Sequence, residues 1–106
     1  MTLHYWTTAE SATGSKDNLW GTYDDRDVQR LISAHRAVSG AANWYAEQDR
    51  LLWTLIADHD VDGIRAWATE MRDEMPDDEA FPQEFCNGIA EEMDSLADLL
   101  AETKPL

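Results

Sequence analysis

Four stretches of the chain repeat apolar residues at the spacing of a helix that buries one face. They cover, approximately, Asp25 to Ser39, Ala41 to Ala57, Val61 to Met75 and Pro82 to Thr103. Asp24 or Asp25 can cap the first helix, and Gly40 is expected to end it. The pattern predicts a mainly α fold, a compact bundle of about four helices. The length of 106 residues predicts one domain, 1–106, with the helical body over 24–106.

Residues 1–23 differ from this pattern. Leu3 to Thr8 and Leu19 to Tyr23 are rich in aromatic and β-branched residues, and the turn-like residues Gly14 to Asn18 separate them. The segment is predicted to form either a β-hairpin, which would make the fold α+β, or an irregular aromatic arm. Either form would need to pack on the helices, because an isolated hairpin is only marginally stable.

The last predicted helix has two distinct faces. Its apolar residues fall within an arc of about 120° and its acidic residues within a separate arc of about 80°. The apolar set is Phe81, Phe85, Ile89, Met93, Leu96 and Leu100, and the acidic set is Glu84, Glu91, Asp94, Asp98 and Glu102. The apolar phase continues across Asn87-Gly88, which predicts one helix through this breaker signal.

The charge of this acidic face limits which partners the protein can bind. The formal net charge is −14, and residues 73–106 hold eleven acids against one base, Lys104. Such a charge repels nucleic acid and anionic membranes and attracts a basic protein surface. Two plainer explanations are a solvated outer face that keeps the chain soluble and a structural protein adapted to high salt.

A row of carboxylates can imitate a row of phosphates in front of a groove lined with Lys and Arg. The stripe offers about one charge per 6 Å, against one per 3.4 Å along a nucleic-acid strand, so it is a dilute mimic alone. The predicted contact surface therefore adds the preceding acidic residues Asp73, Glu74, Asp77, Asp78 and Glu79. Apolar anchors could come from Tyr5, Trp6, Trp20, Tyr23 and Trp53. Trp53 lies opposite Trp44 on its helix, so it is either core or interface, and a homodimer is left open.

The segment from Asp58 to Gly63 begins like a calcium loop, with acids at alternate positions and then glycine. It departs from the EF-hand pattern because Thr69 stands where the bidentate Glu is needed, and Arg65 where an apolar residue is usual. The alternative is a short turn between helices in which Asp60 caps the next one. A metal-linked regulatory domain using Asp58, Asp60 and Asp62 is thus the rival functional hypothesis.

Nothing in the residue pattern indicates catalysis. The chain has no Gly-rich phosphate loop, C-x-x-C pair or nucleophile motif. Cys86 is its single cysteine and is predicted to be a small buried hydrophobe, and His35 a residue at the edge of the core. We expect no enzymatic activity, no cofactor and no bound metal. The N-terminus lacks a signal-peptide pattern and no apolar run approaches the ~20 residues of a membrane span, which predicts a cytoplasmic protein.

In size and charge the chain resembles the small acidic proteins that phages and mobile elements make against CRISPR or restriction systems. Several of those proteins occupy the nucleic-acid channel of a host complex. The resemblance covers no particular segment. It implies a non-enzymatic inhibitor that acts in the host cytoplasm as a partial nucleic-acid mimic, with a basic nucleic-acid-binding protein or complex as its partner.

Overall fold

Four α-helices dominate the computed structural model of the chain, which describes residues 14–44, 46–75 and 82–106. They are α1 (Asp25–Ala42), α2 (Ala46–Ala57), α3 (Val61–Asp73) and α4 (Gln83–Glu102), preceded by a 3-10 turn at Lys16–Leu19. No strand occurs among the described residues. The predicted mainly α bundle of about four helices is confirmed.

Aspartate side chains start two of the helices. Asp24 caps α1 by accepting a hydrogen bond from the backbone N–H of Asp27 at 2.9 Å. Asp60 caps α3 in the same way, with the N–H of Gly63 at 2.8 Å. Each cap satisfies one of the N–H groups that the first turn of a helix leaves without a partner. Asp24 is one of the two caps that the sequence left open for α1, and Asp60 is the cap in the predicted alternative to the calcium loop.

The boundary between α1 and α2 corrects the sequence prediction. Gly40 does not end the first helix, which continues to Ala42 and stops at Asn43. Asn43 adopts the left-handed conformation (φ 47°, ψ 44°) and donates its N–H to the Ser39 carbonyl at 2.8 Å. Asparagine tolerates this conformation better than other residues with a Cβ, so it ends the helix although a glycine precedes it. The second helix consequently begins at Ala46 instead of Ala41.

Helix α4 packs against both α3 and α1. Its inward residues are fully or almost fully buried, and they are Cys86, Ile89, Ala90, Met93, Leu96, Ala97 and Leu100. At 100° per residue these positions span about 120° of the helix surface. The helix runs without interruption through Asn87 and Gly88, as predicted.

The first turn of α4 differs from the predicted apolar face. Phe85 is 39 % exposed, whereas Cys86 beside it is fully buried. Phe85 lies about 80° from the centre of the buried arc and Cys86 only about 20° from it, so the smaller residue occupies the core position. Phe81 lies outside the described residues.

The segment before α1 attaches to the helices through two buried side chains. Leu19 is fully buried, and Tyr23 is 1 % exposed and donates its hydroxyl proton to the Ile56 carbonyl at 2.6 Å. A single bridge between Trp20 and Tyr23 closes a tight turn there, with Gly21 at φ 91°. Of the two predicted alternatives, the β-hairpin would need a strand over Leu19 to Tyr23, and this stretch instead turns back on itself. Residues 14–23 correspond to the other alternative, the irregular arm. Leu3 to Thr8, with Tyr5 and Trp6, lies outside the described residues.

None of the helices in the described ranges combines the length and apolar character needed to cross a bilayer.

Candidate functional site

The outward face of α4 carries carboxylates at positions opposite the buried arc. Glu84, Glu91 and Glu102 lie about 160° to 180° from the centre of that arc, and all three are exposed. None of them forms an ion pair with any residue that the structure describes. We refer to these three residues as the outer carboxylates.

The other two predicted stripe residues are paired with bases of α3. Arg72 donates to Asp94 at 2.7 Å and Arg65 donates to Asp98 at 2.9 Å. Lys104 is the only base within residues 73–106, so the sequence did not reveal these partners. They come from α3, which lies beside α4 and supplies two arginines along one edge. These partly exposed pairs contribute about 0–1 kcal/mol each to stability.

Pairing makes the free charge on the outward face of α4 sparser than the sequence suggested, and Glu92 adds an exposed acid at the side of the helix. Glu84 and Glu91 are seven residues apart, about 10 Å along the axis, and Glu91 and Glu102 are eleven apart, about 16 Å. The phosphates of a nucleic-acid strand follow each other at about 3.4 Å. The outer carboxylates thus provide a negative surface and do not reproduce the phosphate spacing.

The predicted surface extends to the C-terminal end of α3 only in part. Asp73 is exposed as the last residue of that helix, and Glu74 is a half-buried C-cap whose N–H donates to the Glu70 carbonyl at 2.9 Å. The remaining predicted acids of this segment, Asp77, Asp78 and Glu79, lie outside the described residues.

The predicted apolar anchors differ in how much of each side chain is exposed. Trp53 is half-buried, packs against the core and stacks on His35, so it is not a freely exposed anchor. Tyr23 is buried and is excluded as an anchor, which corrects the sequence hypothesis. Trp20 is 43 % exposed and stays a candidate. Phe85 is a further exposed aromatic residue, on α4 itself.

The turn between α2 and α3 contains the calcium-like residues. Asp60 uses one carboxylate oxygen to cap α3, and the carboxylate packs so closely over Gly63 that a Cβ there would lie 2.6 Å from Asp60 Oδ2. His59 adopts φ 55°, and its Nε2 lies 2.9 Å and 2.8 Å from the carbonyls of Leu100 and Thr103. These carbonyls belong to the end of α4, where helix carbonyls lack partners within the helix.

The same turn does not assemble a metal site. Within the described ranges, no three His, Cys, Asp or Glu side chains converge in a way that could hold a metal ion. The hydrogen bonds of Asp60 and His59 fit the short turn between helices that was the alternative to a calcium loop.

A polar cluster that the sequence analysis missed lies between α1 and α2. Asp49 Oδ1 accepts hydrogen bonds from the Ser39 hydroxyl and the Trp44 indole N–H. His35 Nε2 lies 3.9 Å from the same oxygen, and burial lowers the pKa of His35 to about 4, against the opposing attraction of Asp49. Ser39 bonds to the carboxylate and not to the imidazole, so this group does not form a nucleophile–base pair. No local motif announces it, because its members come together only when the two helices pack.

Cys86 is fully buried, as predicted, and burial raises the pKa of its thiol. A thiol held in its neutral form is a poor nucleophile and a poor metal ligand. The outward face of α4 presents exposed carboxylates, and the exposed ring of Phe85 lies in its first turn.

Comparisons of the chain with profiles of protein families, with characterised proteins and with solved structures find no match.

Proposed function

We propose that this protein is a non-enzymatic binding module that docks the outward face of α4 on a basic protein surface, one that otherwise binds nucleic acid. The observation that carries the proposal is the set of outer carboxylates, exposed opposite the core and without an ion pair in the described structure. Their charge adds to a formal net charge of −14.

The physics of association supports a protein partner. A nucleic acid or an anionic membrane would be repelled by this net charge, whereas a Lys- and Arg-rich groove is attracted to it. Complementary charge mainly raises the association rate and selects the partner. The protein would then act by occupying the groove in place of nucleic acid, without copying the phosphate spacing.

High affinity needs apolar contact in addition to charge, because well-packed anchor residues in the interface slow dissociation. Phe85 follows Glu84 directly in the first turn of α4 and is 39 % exposed, so it can enter an interface that the outer carboxylates orient. Trp53, in contrast, already uses one ring face against His35.

A competition assay tests the proposal. A panel of basic DNA- and RNA-binding domains would be mixed with a labelled short duplex, and displacement by this protein measured over a salt series. The triple variant Glu84→Gln, Glu91→Gln, Glu102→Gln is expected to raise the half-inhibitory concentration at least about tenfold at low salt and to flatten its salt dependence.

The chain offers a matched control on the same helix. Replacing both partners of its two ion pairs (Asp94→Asn with Arg72→Gln, and Asp98→Asn with Arg65→Gln) removes two carboxylates and two bases without changing the net charge, so inhibition should change by less than about threefold. Equal effects of the two variants, or no displacement of duplex from any domain, would overturn the assignment of binding to the outer carboxylates.

A further inference from the structure

A hollow of about 310 Å³ opens between the 3-10 turn and the C-terminal end of α2, away from the outer carboxylates. Its lining residues are Gly14, Asn18, Thr22, Thr54, Ala57 and Asp58. This volume is at the lower limit for small-molecule sites, so the hollow suits a small ligand or a single side chain.

The two threonine hydroxyls in the lining already donate their protons to backbone carbonyls. Thr22 Oγ1 donates to the Asn18 carbonyl at 3.0 Å, and Thr54 Oγ1 donates to the Arg50 carbonyl at 2.8 Å. A hydroxyl has one proton to donate and two lone pairs. Thr54 Oγ1 also accepts from the Gly14 N–H at 3.0 Å, which leaves it one lone pair. Toward a ligand, both hydroxyl oxygens can therefore act only as acceptors.

Asp58 is the one ionisable residue of the lining. Its side chain forms no ion pair or hydrogen bond with any residue the structure describes, and the residue is exposed. Its charge also adds to burial in raising the pKa of Tyr23 to about 12. The lining thus includes acceptor oxygens from three residues, one of which is a carboxylate without an ion pair among the described residues. It also includes the Asn18 amide, whose Oδ1 accepts from the Ser15 N–H at 2.7 Å and whose NH2 group can only donate.

Close packing fixes the wall of the hollow. A Cβ added to Gly14 would lie 2.3 Å from Thr54 Oγ1, 2.5 Å from the Thr54 nitrogen and 2.7 Å from the Arg50 carbonyl. Only glycine fits this approach, since two of these three atoms belong to the backbone of α2 and cannot move independently. Thr54 is held from both sides, so its remaining acceptor is positioned before any ligand arrives.

We propose that this hollow binds a primary alkylammonium group, with Asp58 pairing with its charge and the Thr22 and Thr54 hydroxyl oxygens accepting its N–H donors. An ammonium is a compact cation with three donors and no acceptor, which matches a lining of acceptor oxygens around one carboxylate. The group could belong to a lysine side chain or to a free amine. This inference does not depend on the proposed function.

Titrations of ¹⁵N-labelled protein at pH 7 test the proposal with n-butylamine and with Nα-acetyl-lysine N-methylamide. The expected dissociation constant for n-butylamine is on the order of millimolar, the range open to about five heavy atoms. The Gly14 and Thr22 amide resonances should shift, because both residues line the hollow. n-Butanol, which has the same shape without the charge, should bind at least about tenfold more weakly.

The matched variants are Asp58→Asn, which should weaken amine binding at least about tenfold, and Asp62→Asn, which removes an exposed carboxylate outside the hollow and should leave it unchanged. Tighter binding of the lysine derivative supports a protein ligand, and tighter binding of butylamine supports a free amine. Equal binding of butanol, no shift at Gly14 and Thr22, or equal effects of the two variants would overturn the ammonium site.

Discussion

The imidazole of His35 lies flat against the indole of Trp53, with the ring centroids 3.5 Å apart and the planes 8° from parallel. The contact joins α1 to α2, and it leaves His35 only 5 % exposed. Burial disfavours the imidazolium and lowers the pKa of His35 from 6.5 to about 4, although Asp49 acts in the opposite direction. The neutral ring is therefore part of the packed interface between these helices.

This lowered pKa predicts a loss of stability in mild acid. Between pH 6.5 and about 4 the unfolded chain binds a proton at His35 that the folded chain does not, so the free energy of unfolding falls as the pH drops through this window. The loss from this residue is about 3 kcal/mol at most. Denaturant unfolding of the wild type and of His35→Phe, measured from pH 7 to pH 4, gives the part of the stability loss that is due to His35.

Phenylalanine keeps an aromatic ring against Trp53 and removes the titrating group, so the carboxylates that also titrate in acid contribute equally to both proteins. The wild type should therefore lose more stability than His35→Phe over this pH range. Parallel curves for the two proteins would show that His35 is not held in its neutral form.

Asp49 is predicted to stabilise the connection between α1 and α2. Its Oδ1 accepts from both Ser39 and Trp44, and Trp44 in turn stacks on Trp67 of α3 at 4.8 Å. Asp49→Ala should lower the free energy of unfolding by about 2–3 kcal/mol, because the indole N–H loses its acceptor in a partly buried site. Asp49→Asn keeps an acceptor oxygen and should cost less than half of that. Thermal or chemical unfolding at pH 7 measures the free energy of unfolding of both variants. Equal losses would show that the hydrogen bonds to Asp49 Oδ1 do not stabilise the fold.

Three helical glycines give a comparison that isolates the Asp60 cap. A Cβ at Gly40 or Gly88 would meet no atom within 4 Å, so alanine there should stabilise the fold by about 0.5–1 kcal/mol. At Gly63 it would displace the Asp60 carboxylate, and losing the cap costs about 1 kcal/mol. Gly63→Ala should therefore give no net gain by itself, yet should stabilise the protein in an Asp60→Ala background. A gain from Gly63→Ala in the wild-type background would contradict this account of the cap.

Local patterns in the sequence were sufficient to predict most of the fold. Apolar residues at helical spacing identified all four helices. Asp24 and Asp60 could be named as candidate caps because a cap lies within a few residues of the N–H whose hydrogen bond it accepts. The end of α1 could not be predicted from the sequence, because glycine is the stronger signal for a helix end and Gly40 therefore marked the wrong position. The helix ends instead at Asn43, which adopts the left-handed conformation. The burial of Cys86 in preference to Phe85 depends on how α3 and α1 fit against α4.

The candidate site was predictable only as a set of acidic positions. The sequence placed Glu84, Glu91 and Glu102 on one face of a helix, because that follows from 3.6 residues per turn alone. It could not show which of the five stripe carboxylates are paired, since Arg65 and Arg72 reach Asp98 and Asp94 across 33 and 22 positions. The hollow beside Asp58 likewise unites residues that lie up to 44 positions apart, from Gly14 to Asp58.

Those two arginines provide a test in which binding should improve. Arg65→Gln with Arg72→Gln frees Asp98 and Asp94, so all six carboxylates of α4, Glu92 included, would be without an ion pair among the described residues. The formal net charge would change from −14 to −16. If α4 docks on a basic surface, the association rate at low salt should rise about two- to tenfold, and the rise should disappear near molar salt. Stability should fall by only about 1–2 kcal/mol, because solvent screens both partly exposed pairs. The control Arg30→Gln with Arg36→Gln changes the net charge equally but on α1, so it tests whether the position of the charge matters. An equal rise in both double variants would assign the effect to overall charge, and no rise in either would count against docking through α4.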